Sequence, residues 1–247
     1  MNRILFEKDE ITGGVATFDG VRAEHVLGVL HGEVGQVLKT GELDGPVGTG
    51  EITAIDGRRV TVRVTHDSEA PAPWVDLVLA PPRPRVMKRL LPQLAAMGVG
   101  RIVLVGAKKV EKDFWGATLL KEPVYRPLLI DGLMQAGTSA VPVISVERNF
   151  RKWLAEKLDG EFPTEYRVVA HPYAAGGIHA LKASAGRLLL AIGPEGGWTD
   201  DEVARLEEKG FSRFSLGQRI LRTDTAAIAL LAVLDCAGKN MLYSKPS

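Results

Sequence analysis

Beyond about residue 74, short apolar runs alternate with stretches whose apolar residues recur at helical spacing. The pattern predicts strands over 75–80, 101–105, 143–146, 167–170, 188–192 and 211–215. Between them it predicts helices over 86–97, 115–136 and 150–158, one starting after Thr199, and a last one over 224–237. Pro92 should kink the first helix or delay its start, and Pro123 and Pro127 should interrupt the second. Strand and helix in alternation is the signature of an α/β sheet. Residues 1–69 read differently. Glycines recur every few residues, 51–55 and 59–65 alternate around the turn Asp56-Gly57, and 23–30 suits one short helix, so this part is β-rich. Glu69-Ala70-Pro71-Ala72-Pro73 is a stiff spacer, which sets two domains, 1–69 and 74–247.

One junction concentrates the chemistry. The apolar run Leu188 to Ile192 stops at Gly193-Pro194-Glu195-Gly196-Gly197. A helix start follows, with Thr199 and Glu202 spaced as a capping box and Asp200 and Asp201 in the first turn; Gly210 supplies its stop. A glycine turn between strand and helix is where α/β proteins place ligands. A phosphate fits poorly here. The spacing is neither G-x-G-x-x-G nor a P-loop, Pro194 has no N–H to donate, and Glu195 sets a carboxylate where a polyphosphate would lie. The loop suits a neutral or cationic ligand, and taken alone it also suits a tight turn with no ligand. A second loop, Leu216-Gly217-Gln218-Arg219-Ile220-Leu221-Arg222, follows the strand over 211–215.

Composition narrows the partners. With 247 residues, 45% of them hydrophobic, the chain has ample material for real cores. A net charge of +1 gives no global attraction to nucleic acid, so any RNA affinity must be local. Two basic groups qualify as phosphate contacts: Arg83, Arg85, Lys88 and Arg89, then Lys108, Lys109 and Lys112. His171-Pro172 follows a strand; without a second histidine at ligand spacing, no metal is expected, and a general base or a cavity-lining role stays open. Cys236, the only cysteine, lies in an apolar helix and is expected in the core. The first residues lack a signal-peptide core and the longest apolar run, 226–234, is too short to span a bilayer, so a cytoplasmic location is expected. That run is apolar on all sides of its helix and must be covered, by its own subunit or by a second copy.

Ile192 to Gly197, followed by Leu216, Gly217, Arg219 to Arg222, Thr225 and Ala226, resembles the SPOUT class of knotted methyltransferases. The likeness is to the RsmE family, which methylates N3 of a uridine in bacterial small-subunit (16S) ribosomal RNA. It implies a SPOUT-type α/β domain threaded into a trefoil knot, preceded by a PUA-like β-barrel that grips RNA. It also implies S-adenosylmethionine as cofactor, a homodimer, and ribosomal RNA or the small subunit as partner. The cofactor residues it implies are His171, Pro172, Ile192, Gly193, Glu195, Gly196, Gly197, Leu216, Gly217, Ile220, Leu221, Thr225 and Ala226. Uridine N3 attacks only once its imide proton is lost, so the site must remove that proton or stabilise the resulting anion. Arg222, then Arg219, are the candidates for the anion, and Glu195 could act as base, contact the donor's positive charge or shape the turn. Departures from the family pattern at Ala96, Lys108, Met134 and Thr138 set this chain on a divergent branch. Two other functions stay open: a knotted methyltransferase acting on another RNA or at ribose 2′-oxygen, and an RNA-binding relative without transfer activity.

Overall fold

The computed structural model describes residues 2–174 and 187–243, with side chains through Ala237. The chain forms two compact units, one of residues 1–72 with 126–141 and one of residues 73–125 with 142–247.

The first unit is built from β1 (Ile4–Phe6), β2 (Ile11–Thr12), β3 (Val15–Phe18), α1 (Gly20–Gly28), β4 (Val37–Glu42), β5 (Val47–Asp56) and β6 (Arg59–Ser68). Its six-stranded sheet runs β1-β4-β5-β6-β3-β2. Alternation places Phe6, Phe18, Leu38, Ile52, Val60 and Val62 on one inner face, with Ala23 and Val26 of α1 packed over them. Residues 126–141 join this unit although the sequence sets them within 74–247. Arg126 pairs with Glu7, Arg3 Nε donates to the Gly137 carbonyl (3.0 Å), the Ser139 hydroxyl to the Gly45 carbonyl (2.7 Å), and the Val141 N–H to Asp44 (2.7 Å).

The second unit begins with β7 (Val75–Leu79), α2 (Pro84–Ala96) and β8 (Val99–Val105). Two 3-10 turns (Lys112–Gly116 and Thr118–Leu120) lead into α3 (Glu122–Ala136), which runs on into the first unit. Then come β9 (Val143–Glu147), α4 (Phe150–Glu156), α5 (Leu158–Glu161), β10 (Arg167–Ala170), β11 (Leu188–Ile192), α6 (Asp200–Glu208), β12 (Ser212–Phe214) and α7 (Thr223–Tyr243). The sheet is parallel throughout, in the order β12-β10-β11-β7-β8-β9. Its central strands β7 and β11 are buried at every residue, as parallel strands covered on both faces must be.

Three expectations change. Pro92 does not delay α2, which starts at Pro84 and runs on to Ala96 with Leu90, Leu91 and Leu94 buried around the proline. The break expected near Pro123 and Pro127 lies earlier, at the 3-10 turns; Pro123 sits in the first turn of α3, where no N–H is needed, and α3 continues through Pro127. Cys236 is exposed rather than in the core. The helix buries one seam, Ala227, Leu230, Leu231, Leu234 and Ala237, and Cys236 lies off it with exposed Ala232.

The strand order places the site. From β7 the chain moves outward to β8 and β9; from β11 it moves the other way, through α6 to β12. Beyond the C-terminal ends of β7 and β11 the connections diverge, and this switch point is where open α/β sheets hold ligands.

Candidate active site

The loops that follow β10, β11 and β12 enclose a cavity of about 460 Å³, within the range of small-molecule sites. Its walls are residues 170–173, 192–198 and 214–217, with Lys109, Asp200, Arg219, Ile220, Leu221, Thr223, Ala226 and Leu230.

The β11 loop is held from several sides. The Thr199 hydroxyl accepts the Glu202 N–H (3.3 Å) and Glu202 Oε2 accepts the Thr199 N–H (2.8 Å), the reciprocal capping box. The other oxygen of Glu202 accepts the Lys108 N–H at 2.8 Å, so one buried carboxylate ties the loop after β8 to the start of α6. Gly197 takes a positive φ of 69°, and its N–H bonds to the Pro194 carbonyl at 2.8 Å. Trp198 stacks on Phe150 at 5.3 Å between centroids. A side chain at Gly193 would place its Cβ 3.1 Å from the Trp198 ring and backbone, so any larger residue there would have to push Trp198 aside by a few tenths of an ångström. Lys109 Nζ donates to the Gly196 carbonyl at 2.7 Å.

The other walls are lighter. The His171 N–H bonds to the Phe214 carbonyl (2.9 Å), and its Nδ1 accepts the Tyr173 N–H (3.3 Å). Partial burial, then the nearby Arg213, holds the His171 pKa below its ordinary value, which keeps the imidazole neutral at neutral pH. The Ser215 hydroxyl lies 3.0 Å from the Pro172 carbonyl and accepts the Gly217 N–H (3.1 Å). Leu216, Ile220 and Leu221 leave 36%, 73% and 38% of their surface exposed.

Of the thirteen cofactor residues expected, twelve line this cavity; Thr225 does not. Arg219 is on the wall, whereas Arg222, exposed just before α7, is not. The sequence reading passed over Trp198, Tyr173, Asp200, Phe214, Ser215, Thr223 and Leu230. An aromatic residue between the glycine turn and the helix cap was the available signal for Trp198. Its Nε1 is buried and has no hydrogen-bond partner.

A second, smaller cavity of about 220 Å³ lies across the β11 loop, over β7 and β8. It is lined by Pro81, Pro82, Arg83, Lys109, Glu111, Phe114, Pro194, Glu195 and Gly196. Of the seven cations singled out in the sequence, Arg83 and Lys109 line it. Arg85, Lys88, Arg89, Lys108 and Lys112 are exposed around it in sequence but not on its wall, and Arg89 pairs with Asp224 at 3.4 Å.

The RNA methyltransferase domain family matches residues 68–235, which contain both cavities. The chain belongs to this family. Among similar proteins, ribosomal RNA small subunit methyltransferase E of Treponema pallidum is 30% identical over 95% of this chain and 90% of its own length. The Mycobacterium bovis protein of the same name is 26% identical over 95% and 92%. The fold is shared with ribosomal RNA small subunit methyltransferase E of Neisseria gonorrhoeae, solved bound to S-adenosyl methionine (TM-score 0.77, 23% identity, 96% of this chain and 97% of that one). It is also shared with a putative methyltransferase of Legionella pneumophila, solved with its bound cofactor SAM (TM-score 0.76, 25% identity, 96% and 97%). The chain is thus an RNA methyltransferase of the RsmE type with an α/β, SPOUT-like fold. Among the described residues no helix is long and apolar enough to cross a membrane.

Proposed function

We propose that this methyltransferase transfers the methyl group of S-adenosylmethionine to N3 of a uridine in small-subunit ribosomal RNA. The observation that carries the reading is the first cavity, where both loops of the sequence resemblance meet in a chain related over nearly its full length to ribosomal RNA small subunit methyltransferase E. The residues fit the cofactor. Backbone-rich turns at Gly193–Gly197 and Leu216–Gly217 allow close approach, and Ile192, Leu221, Ala226 and Leu230 offer apolar surface. Glu195 and Asp200 supply negative charge suited to a cationic ligand.

When bound, S-adenosylmethionine supplies an electrophilic methyl on a sulfonium. The chain's own residues must hold that group in a site shielded from water and neutralise the negative charge that develops on the acceptor as its imide proton leaves. We assign Arg219, on the wall of the first cavity, and Arg222, exposed just before α7, to the acceptor RNA strand. The remaining cations, Arg85, Lys88, Arg89, Lys108 and Lys112, are assigned to phosphates, which position RNA without reading its sequence. The first unit is taken as a PUA-like RNA-gripping domain and the second as the knotted transferase domain, in the cytoplasm.

The same reading includes a homodimer. Ile228, Ala229 and Val233 of α7 are only half-buried in the single chain and Ala232 is exposed, which leaves an apolar face of the helix incompletely covered. Light scattering at micromolar concentration should give twice 26.7 kDa, and the monomer mass would remove the dimer from the account. The activity is tested by calorimetry with S-adenosylhomocysteine and by incorporation of labelled methyl into small-subunit RNA. A chain that binds the nucleoside without labelling RNA would be the non-catalytic relative.

A further inference from the structure

Two cavities flank the β11 loop, and they share Lys109, Pro194, Glu195 and Gly196 as a common wall. The second lies at the switch point itself, formed by the loops that follow β7, β8 and β11. At about 220 Å³ against 460 Å³ it is too small for a second nucleoside donor and has the scale of a single ring. Pro81, Pro82 and Pro194 offer no N–H, and Phe114, buried, gives an apolar floor.

The polar groups of this cavity alternate in sign. Arg83 is fixed by Glu111, whose Oε1 accepts from Nε at 2.9 Å, so its terminal amino groups stay available. Glu195 Oε2 lies 4.0 Å from Arg83. Lys109 spends one N–H on the Gly196 carbonyl and keeps two more. The cavity wall therefore carries two donors, Arg83 and Lys109, together with the Glu195 carboxylate, which Glu111 leaves as the acceptor not engaged at short range by Arg83. The imide edge of uracil presents the complement: carbonyl oxygen, N3–H, carbonyl oxygen. Cytosine offers an acceptor at N3 and would face the carboxylate with a lone pair, a repulsive mismatch.

We infer that this second cavity is the acceptor-base subsite, which takes a flipped-out uracil ring with its carbonyl oxygens toward Arg83 and Lys109 and its imide N–H toward Glu195. The inference rests on the proposed N3 methylation and adds where the base sits and why it is a uracil. The imide proton passes to the Glu195 carboxylate, which then turns off the N3 lone pair so that the donor's methyl enters along that line. The new N–C bond forms as the S–C bond of the donor breaks, and S-adenosylhomocysteine leaves as a neutral thioether. Glu195 lines both cavities, and Glu111 is a positioning residue that acts through Arg83. Arg83 and Lys109 thus belong to the base rather than to phosphates.

The test uses the full-length chain with small-subunit RNA. Arg83→Ala should lower kcat at saturating RNA by roughly tenfold to a hundredfold, as loss of one donor to a developing anion does. Its affinity for S-adenosylhomocysteine should stay within about twofold of the parent's, since Arg83 is absent from the wall of the first cavity. Glu111→Gln should reproduce a weaker form of the same kcat defect. In addition, RNA carrying 4-thiouridine at the target position, irradiated on the protein with S-adenosylhomocysteine bound, should crosslink within 81–83 or 109–114. An unchanged kcat with weaker RNA binding and a salt slope reduced by about one would make Arg83 a phosphate contact and overturn the subsite. Crosslinks confined to other segments would overturn it as well. A parent protein that methylates RNA at another atom would instead defeat the N3 reading, and the subsite with it; that result is read on the product and not on the variants.

Discussion

The two loops that frame the first cavity are built in opposite ways. The one after β11 leaves a fully buried strand, is closed by a capping box, stacks Trp198 on Phe150 and is anchored to the neighbouring loop through Glu202. The one after β12 rests on Ser215 and Gly217 and turns Ile220, 73% exposed, outward. One wall is set by the fold before any ligand arrives. The other has apolar side chains that only a ligand or a second subunit would cover. Preorganised backbone orients a ligand, whereas exposed apolar groups gain burial when it binds.

That difference separates stability from affinity, and substitutions should show it. The largest effect is expected for Glu202→Ala. It strips a buried acceptor from the Lys108 and Thr199 N–H groups and should cost roughly 2–4 kcal/mol, measured by urea unfolding. S-adenosylhomocysteine affinity should fall with it. Ile220→Ala should change stability by no more than about 0.5 kcal/mol, as an exposed side chain does, yet weaken S-adenosylhomocysteine binding by roughly fivefold in calorimetry. If Ile220→Ala destabilised the chain as much as Glu202→Ala, the contrast between the two walls would be lost.

The smallest effect concerns His171. Burial, and secondarily Arg213, lowers its pKa in the folded chain, so the unfolded chain binds this proton more readily. Stability should be complete at neutral pH and decline as pH drops below about 6.5, the ordinary histidine value. His171→Asn should remove that part of the decline in unfolding curves taken between neutral and mildly acid pH. An unaltered slope would show that the imidazole is equally easy to protonate in both states.

Much of this was legible in the chain and some was not. The β11 run, its glycine turn and the Thr199–Glu202 box are local patterns, and each lies where its spacing put it. Twelve of the thirteen expected cofactor residues meet because they end or follow β10 and its two neighbours β11 and β12 or, as Ala226 does, lie at the start of α7. Thr225 falls outside, one residue before Ala226 on a helix whose turn carries it off the cavity. Contacts between distant residues were not readable. Glu202 reaches Lys108 across 94 positions, and Arg83 meets Glu111 and Glu195 only because β7, β8 and β11 are adjacent in the sheet. Cys236 shows the limit of composition: an apolar helix reads as core, but which of its faces is covered depends on packing.

The central claim is that a donor in the first cavity meets a uracil N3 presented beside Glu195, which lines both cavities. Mass spectrometry of nuclease-digested small-subunit RNA, after incubation with the protein and methyl-labelled S-adenosylmethionine, tests it most directly. The account predicts label on the N3 atom of one uridine. Label on a ribose 2′-oxygen or on another base, with donor binding intact, would contradict it.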